Sequence, residues 1–474
     1  MGQNNHIKSM GFALLATSIL STSALAGGFD RGGVNIDQLF DTDRFAATAS
    51  VTHVIPRRTI KNIQRESNVA LAPAIQVGVA AQVGPLIGSA DPAVIGAFVA
   101  NPANAAIVGP IVSAVTIAVA GNPAFAPATG GPIDVDSTYT APRLGAKMNV
   151  AEGFDCLATY SEPFGGDSGF GTNNAYSATA VQFSIDTQDY GLTCAYQFGA
   201  GTTSVGDAFA RVIVGGSYQE LQGFQSRQSF LDFANAGIGA VGGVTNTSGL
   251  GTFNVEGDAV GYRVGVAYEI PDIALRAMVL YNSKYDYDLS GIQNNTGFGA
   301  VIPGTQLVPI TLQTEIPQSL EVKLQSGIAE GTLAFANFKW QDWSKLGVIN
   351  INGGLSPATG GPSALSFDPL YQDGYTVTAG IGKVINENVS ALASLTWDRG
   401  TSTISGTQTD SWLFSTGLRY TQDEHLEVNL GGAIGILEGG TSSPTGIGDQ
   451  ANQITYEFDA DFVYALSGGL KVKF

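Results

Sequence analysis

Ile454-Thr455-Tyr456-Glu457-Phe458-Asp459-Ala460-Asp461-Phe462-Val463-Tyr464 begins the run that ends the chain with Leu470-Lys471-Val472-Lys473-Phe474. Alternate residues are apolar or aromatic, and Gln453, Thr455, Glu457, Asp459, Asp461, Ser467, Lys471 and Lys473 fall between them. A period of two is that of a strand with one apolar and one polar face. The run is several times longer than the usual strand of about 5–6 residues. In water it would expose a long adhesive edge. It is suited to a closed barrel, where the apolar face meets lipid and both edges are paired.

Working outward, composition agrees. The 474 residues include 62 Gly, and only 13% are charged. Lys and Arg number 22 against 40 Asp and Glu, a net charge of -18 that argues against nucleic acid as a partner. Mean hydropathy is +0.13. A helical membrane protein would be far more apolar, whereas a barrel dilutes its lipid face with a polar lumen. Lys8, the apolar or small run Gly11 to Ser23 and the site Ala24-Leu25-Ala26 read as a signal peptide over 1–26.

Residues 27–43 are Gly-rich and polar at first and lack a strand pattern. Alternation begins at 44–56 and resumes at 139–150, 153–164, 177–199, 207–220, 255–270, 273–288, 314–328, 331–344, 372–385, 388–399, 410–421, 424–437 and 453–474. The reading is an all-β, 14-stranded antiparallel transmembrane barrel over 44–474, an even number as in single-chain bacterial barrels. Short links such as Pro271-Asp272 and Gln422-Asp423 alternate with long ones such as 221–254 and 345–371. That parity puts short turns and both termini in the periplasm and long loops outside. The 57–138 insert has no charge between Asp91 and Asp134. Pro110 and the lack of flanking positive charge favour an apolar, partly helical extracellular loop over a membrane-spanning helix.

Several stretches then resemble the FadL/TodX family of outer-membrane transporters for hydrophobic compounds. They are Ile316-Pro317-Gln318-Ser319 followed by Phe338-Lys339-Trp340-Gln341-Asp342-Trp343-Ser344, Leu39-Phe40-Asp41 leading to Pro56, Tyr160-Ser161-Glu162-Pro163-Phe164-Gly165, and the terminal Phe474. The resemblance runs from about Leu39 onward, outside the insert. It implies a barrel closed by an N-terminal hatch, passive uptake of long-chain fatty acids or other hydrophobic compounds, an inner site touched by the N-terminus, and sideways exit at a kink in strand 3. It also implies residence in the bacterial outer membrane as a monomer, with the barrel-assembly machinery engaging Phe474. The family hatch is about forty residues long with an Asn-Pro-Ala motif; here fewer than twenty residues precede strand 1, and Asn101-Pro102-Ala103 and Asn122-Pro123-Ala124 lie in the insert. Pro163, Phe164 and Gly165 read as the extracellular end of strand 3 and do not locate the kink.

Candidate ligand contacts are Phe29, Arg31, Val34, Ile36, Leu39 and Phe40 in the N-terminal segment, with Arg31 facing a carboxylate headgroup. The bland alternative is a flexible lead-in. In the insert, Phe98, Ile107, Ile111 and Val115 are candidates for an outer capture groove, set against simple self-packing. Cys156 and Cys194, on the lipid faces of neighbouring strands, are expected to form a disulfide. Gly166-Asp167-Ser168-Gly169 looks like a serine nucleophile motif, but a Ser needs a positioned base. The mature chain has only His53 and His425, and these also give no metal-site spacing. No enzyme activity, metal or cofactor is expected. Lys323, Lys339, Arg263, Arg276, Arg419, Glu427, Asp459 and Asp461 read as lumenal charges in internal ion pairs. The alternatives to a hydrophobic-compound transporter are a general diffusion porin of the same architecture and a surface adhesin barrel.

Overall fold

The computed structural model describes residues 28–65, 68–120, 129–229, 249–297, 304–355, 361–363, 365–423, 425–443 and 454–474. The expected leader, residues 1–26, lies outside them, as do the side chains of 65–77 and 113–129. Seventeen antiparallel segments form one sheet. Three strands are split in two, which leaves fourteen.

These are β1 (Phe45–Pro56), β2 (Tyr139–Ala151), β3 (Phe154–Ser161 and Gly165–Gly169), β4 (Gln182–Thr203), β5 (Gly206–Ser229), β6 (Gly249–Ile270) and β7 (Leu275–Asn282 and Tyr285–Gly297). The circuit continues with β8 (Leu307–Ile316 and Ser319–Ala329), β9 (Thr332–Gln341), β10 (Gly374–Val384), β11 (Val389–Asp398), β12 (Ser411–Gln422), β13 (Leu426–Leu437) and β14 (Asp461–Lys473). β1 pairs with both β2 and β14, so the sheet closes on itself.

Closure leaves no edge, and the alternation then sorts side chains between two media. Leu466, Leu430 and Leu418 are 68%, 62% and 56% exposed on the outer face. Lys147, Lys471 and Glu427 are each 1% exposed within. This inverts a water-soluble protein, as a wall between lipid and a lumen requires.

Three expectations need correction. The terminal run is not one strand. Ile454–Phe458 turns away at Asp459-Ala460 and pairs with Thr59–Arg65 and Gly440–Ser442 in a small extracellular sheet. There Ile454, Tyr456 and Phe458 are buried, whereas Phe462 and Tyr464 meet lipid. The core of a small sheet and a lipid face write the same period of two. For the same reason Asp459 is not lumenal; it pairs with Lys61 outside at 2.6 Å. Second, β4 to β8 are longer than the other strands, so 221–229, 249–254, 289–297 and 307–313 are strand rather than loop. Third, Pro163 and Phe164 do not end β3. They interrupt it, because proline cannot donate to the ladder, and the strand resumes at Gly165.

The insert carries α1 (Asn68–Ile87), α2 (Pro92–Ala100) and α3 (Ala105–Ala120). Asp91 caps α2 by accepting from Ala93 N–H at 2.8 Å. Val79, Val83, Ile95 and Val108 are buried where the helices pack on one another. Among the described residues no single helix is long and apolar enough to cross a membrane; Gly78–Ile87 and Pro92–Ala100 qualify only as a pair bent by 92°.

Candidate functional site

The short N-terminal segment lies inside the barrel. It runs up the lumen from Asp43 at the short-turn end to Gly28 near the mouth, fixed by ion pairs to strands around the wall. Asp41 binds Lys471 at 2.6 Å, Asp37 binds Lys323 at 3.1 Å, and Asp30 binds Lys339. Arg31 binds Asp167 at 2.7 Å and Asp186 at 3.0 Å. Buried pairs of this kind fix register more than they add stability. They explain how a segment with no strand pattern holds one path.

Its lower half fills the barrel. Ile36, Leu39 and Phe40 pack with Leu157, Ala195, Ile213 and Met278. The Phe40 ring lies under Arg276 and Arg211, 4.0 and 5.2 Å from their guanidinium carbons. With Lys147, Asp155 and Glu269 these two arginines form a continuous charge chain. Val34 packs at the top of this layer. Ile36, Leu39 and Phe40 therefore seal the lower lumen and do not line either upper cavity.

Its tip covers the break in β3. Arg31 N–H donates to the Pro163 carbonyl at 2.8 Å, and Gly165 N–H donates to the Phe29 carbonyl at 2.7 Å. The tip thus adds a one-residue bridge, Asp30 to Phe164, where β2 has parted from β3. Arg143 of β2 donates to the Arg31 carbonyl at 2.7 Å, closing the other side. Thr187 Oγ1 accepts from Phe164 N–H at 3.1 Å and holds the broken strand to β4. Two glycines permit the approach. Gly28 has φ +71°, and a Cβ there would lie 2.5 Å from the Trp343 ring. A Cβ on Gly165 would overlap the Arg31 guanidinium. Arg31's two amino groups, assigned from sequence to a ligand headgroup, are held by the carboxylates of Asp167 and Asp186.

Phe29 sits at the junction of two cavities. Its ring meets Trp343 edge-on at 5.9 Å and touches Phe183, Phe367 and Tyr371. Outward lies a vestibule of about 330 Å3 with mixed walls, including Asp167, Ser168 and Arg58 beside Phe183, Tyr371 and Tyr456. Arg58 ties the mouth together, donating to the carbonyls of Glu438 at 3.0 Å, Asp459 at 3.2 Å and Thr407 at 3.1 Å. Burial pushes its guanidinium down to about 10, with Asp461 opposing the shift. Inward lies a cavity of about 90 Å3 walled by Phe183, Leu221, Phe253, Leu289, Leu312 and Phe367 among others. Its one charged lining residue is Glu315.

Of the sequence-chosen residues, only Phe29 lines that apolar cavity. Phe98 and Ile111 are half-buried and Ile107 is 52% exposed in the insert, away from the cavities described; Val115's side chain lies outside the described residues. The missed residues come from the raised walls of β4 to β8 and from the hairpin Ile349–Ile351 with Leu365–Phe367, which folds inward to meet β8. The alternation of Ile349 and Ile351 was the available signal. Cys156 and Cys194 face each other across β3 and β4 and are joined by a disulfide. Ser168 lies in β3, while His53 bonds Thr140 on the outer face and His425 sits at a short turn.

The profile of the family described as outer membrane protein transport protein (OMPP1/FadL/TodX) matches residues 64–462. A Pseudomonas aeruginosa FadL homologue superposes with a TM-score of 0.67 at 14% identity, covering 97% of this chain and 98% of that one. The Ralstonia pickettii toluene transporter TbuX gives 0.51 at 13%, covering 97% and 99%. At such identities the likeness shows the fold. No curated protein sequence matches the chain.

Proposed function

The chain belongs to the OMPP1/FadL/TodX family of outer-membrane transport proteins for hydrophobic compounds, and from that premise we propose that it admits small uncharged apolar molecules by passive diffusion. The observation that carries the reading is the inner cavity. Its walls are aromatic and aliphatic, and the one charged residue lining it among those described, Glu315, is already paired with Lys284 at 3.4 Å. Burying a carboxylate there without a partner is costly, whereas a hydrocarbon loses nothing. This favours neutral compounds over the fatty acids that the sequence resemblance brings first. TbuX, a toluene transporter by description, is the relative in keeping with that choice.

In this account ligand collects in the vestibule, passes Phe29 and enters the cavity. Release is sideways, where the tip of the N-terminal segment lifts off the β3 break and opens the gap beside β2. The helical insert, with Leu86, Val94 and Ile107 exposed, serves as an outer collecting surface. The protein acts as a monomer, and Phe474, 70% exposed at the rim, is the handle for barrel assembly.

A fatty-acid reading rests on Arg31 and Arg58 in the vestibule wall, but both are already held by protein oxygens. The test is uptake by proteoliposomes of butylbenzene and of a fatty acid of equal chain length. The hydrocarbon should enter faster than through protein-free vesicles and the acid should not. Faster entry of the acid would reverse the assignment.

A further inference from the structure

Between the apolar cavity and the Phe40 layer, β3 to β6 present a belt of polar side chains to the lumen. Asp189 and Arg263 face each other there at 3.7 Å, both fully buried. Asp189 Oδ2 accepts from Gln219 Nε2 and from the Tyr285 hydroxyl, each at 3.1 Å. Arg263 Nη2 donates to Ser217 Oγ at 3.2 Å. The remaining groups are unusual. Asp189 Oδ1, Arg263 Nη1 and the hydroxyls of Thr159, Ser161 and Thr193 are buried and have no hydrogen-bond partner among the protein atoms.

These atoms belong to one patch. Ser161 lies opposite Asp189 and Thr159 opposite Gly191. Gly215 lies between Thr193 and Arg263. The two glycines let the strands' polar side chains close on one another here. A Cβ at Gly191 would come within 2.6 Å of Thr159 Oγ1 and 3.5 Å of Asp189 Oδ1, and one at Gly215 within 2.6 Å of Thr193 Oγ1. Thr159 and Ser161 also border a chamber of about 90 Å3 against Val34, Asn35 and Gln38 of the N-terminal segment. Buried polar atoms are costly to leave unpaired, and a native protein rarely keeps several together without use.

We propose that this patch is a second lumenal subsite for a neutral hydroxyl group on an otherwise apolar molecule, such as a phenol or alcohol. One hydroxyl oxygen accepts from Arg263 Nη1 while its proton is donated to Asp189 Oδ1. A carboxylate would set a second anion beside Asp189, and a hydrocarbon would leave every donor unanswered. The inference rests on the reading that apolar molecules cross this lumen, and adds a preference among them.

The test compares 4-butylphenol with butylbenzene by calorimetric titration of the purified full chain in detergent. The phenol should bind about tenfold more tightly, the worth of one well-placed hydrogen bond to a charged group. Gly191→Ala, which fills the patch, should bring the ratio near one and leave butylbenzene affinity unchanged. Thr159→Val keeps the side-chain volume and should lower the ratio if Gly191→Ala fails to fold. Equal affinities in the parent, or a phenol preference that Thr159→Val and Gly191→Ala both leave intact, would overturn the subsite and leave these atoms to water. Binding of the phenol with none of butylbenzene would support the subsite and count against the hydrocarbon reading instead.

Discussion

The barrel wall is built in two ways. From β10 round through β14 to β1 the strands are unbroken and every pairing keeps a single register. From β3 to β8 the wall is taller and interrupted, at Glu162 to Phe164 in β3, Ser283-Lys284 in β7 and Pro317-Gln318 in β8. The N-terminal tip and the apolar cavity border this second arc, and the vestibule spans both. The continuous arc supplies closure, and the broken arc supplies room. Hydrogen bonds surrendered in the breaks are partly recovered from the tip, so the N-terminal segment and the gap form one unit.

If that division is right, removing residues 28–40 gives the largest effect. The lower lumen and the β3 gap lose their cover together, and planar bilayers should pass from no resolvable steps to steady ion conduction. A deletion that still shows none would place the seal elsewhere. On the continuous arc, Leu413→Ala removes a side chain only 2% exposed. It should cost about 2–5 kcal/mol, seen as a lower temperature for the unfolding shift on gels, with uptake per folded molecule unchanged. Phe29→Ala on the other arc should weaken butylbenzene binding roughly tenfold by merging cavity and vestibule, as read by titration. Deleting helices 68–120 should give the smallest change. The helices pack on themselves, so the barrel should fold and uptake should fall only about twofold; a complete loss would make them part of the pathway.

The same contrast explains what could be read from residues alone. The unbroken arc was legible because its pattern is regular. Trp412, Phe414, Leu418 and Tyr420 face lipid while Ser411, Ser415 and Arg419 face inward. Strand count and loop parity followed from that regularity. The site was mostly illegible for the opposite reason. Leu221, Leu289 and Leu312 line an apolar cavity, where apolar side chains face inward and the phase no longer reports lipid. Ile454 to Phe458 misled in the same way, since a soluble sheet core and a lipid face share one period. Phe29 was found because an aromatic residue in a short polar segment is conspicuous. Arg31 was found as the segment's lone early cation, but its partners, Asp167 and Asp186, are distant in sequence and only folding unites them. The N-terminal segment has no periodicity at all; its path is fixed by Asp30, Asp37 and Asp41, each paired with a lysine on a different strand.

The measurement that bears most directly on the account locks the tip to the break. Asp30 and Phe164 are bridge partners, close enough for Asp30→Cys and Phe164→Cys to form a disulfide. With the pair oxidised, butylbenzene uptake into proteoliposomes should stop, and reductant should restore it to the level of the parent treated alike. Unchanged uptake in the oxidised, verified cross-link would mean that cargo does not leave past β3 and would contradict the coupling of N-terminal segment and gap.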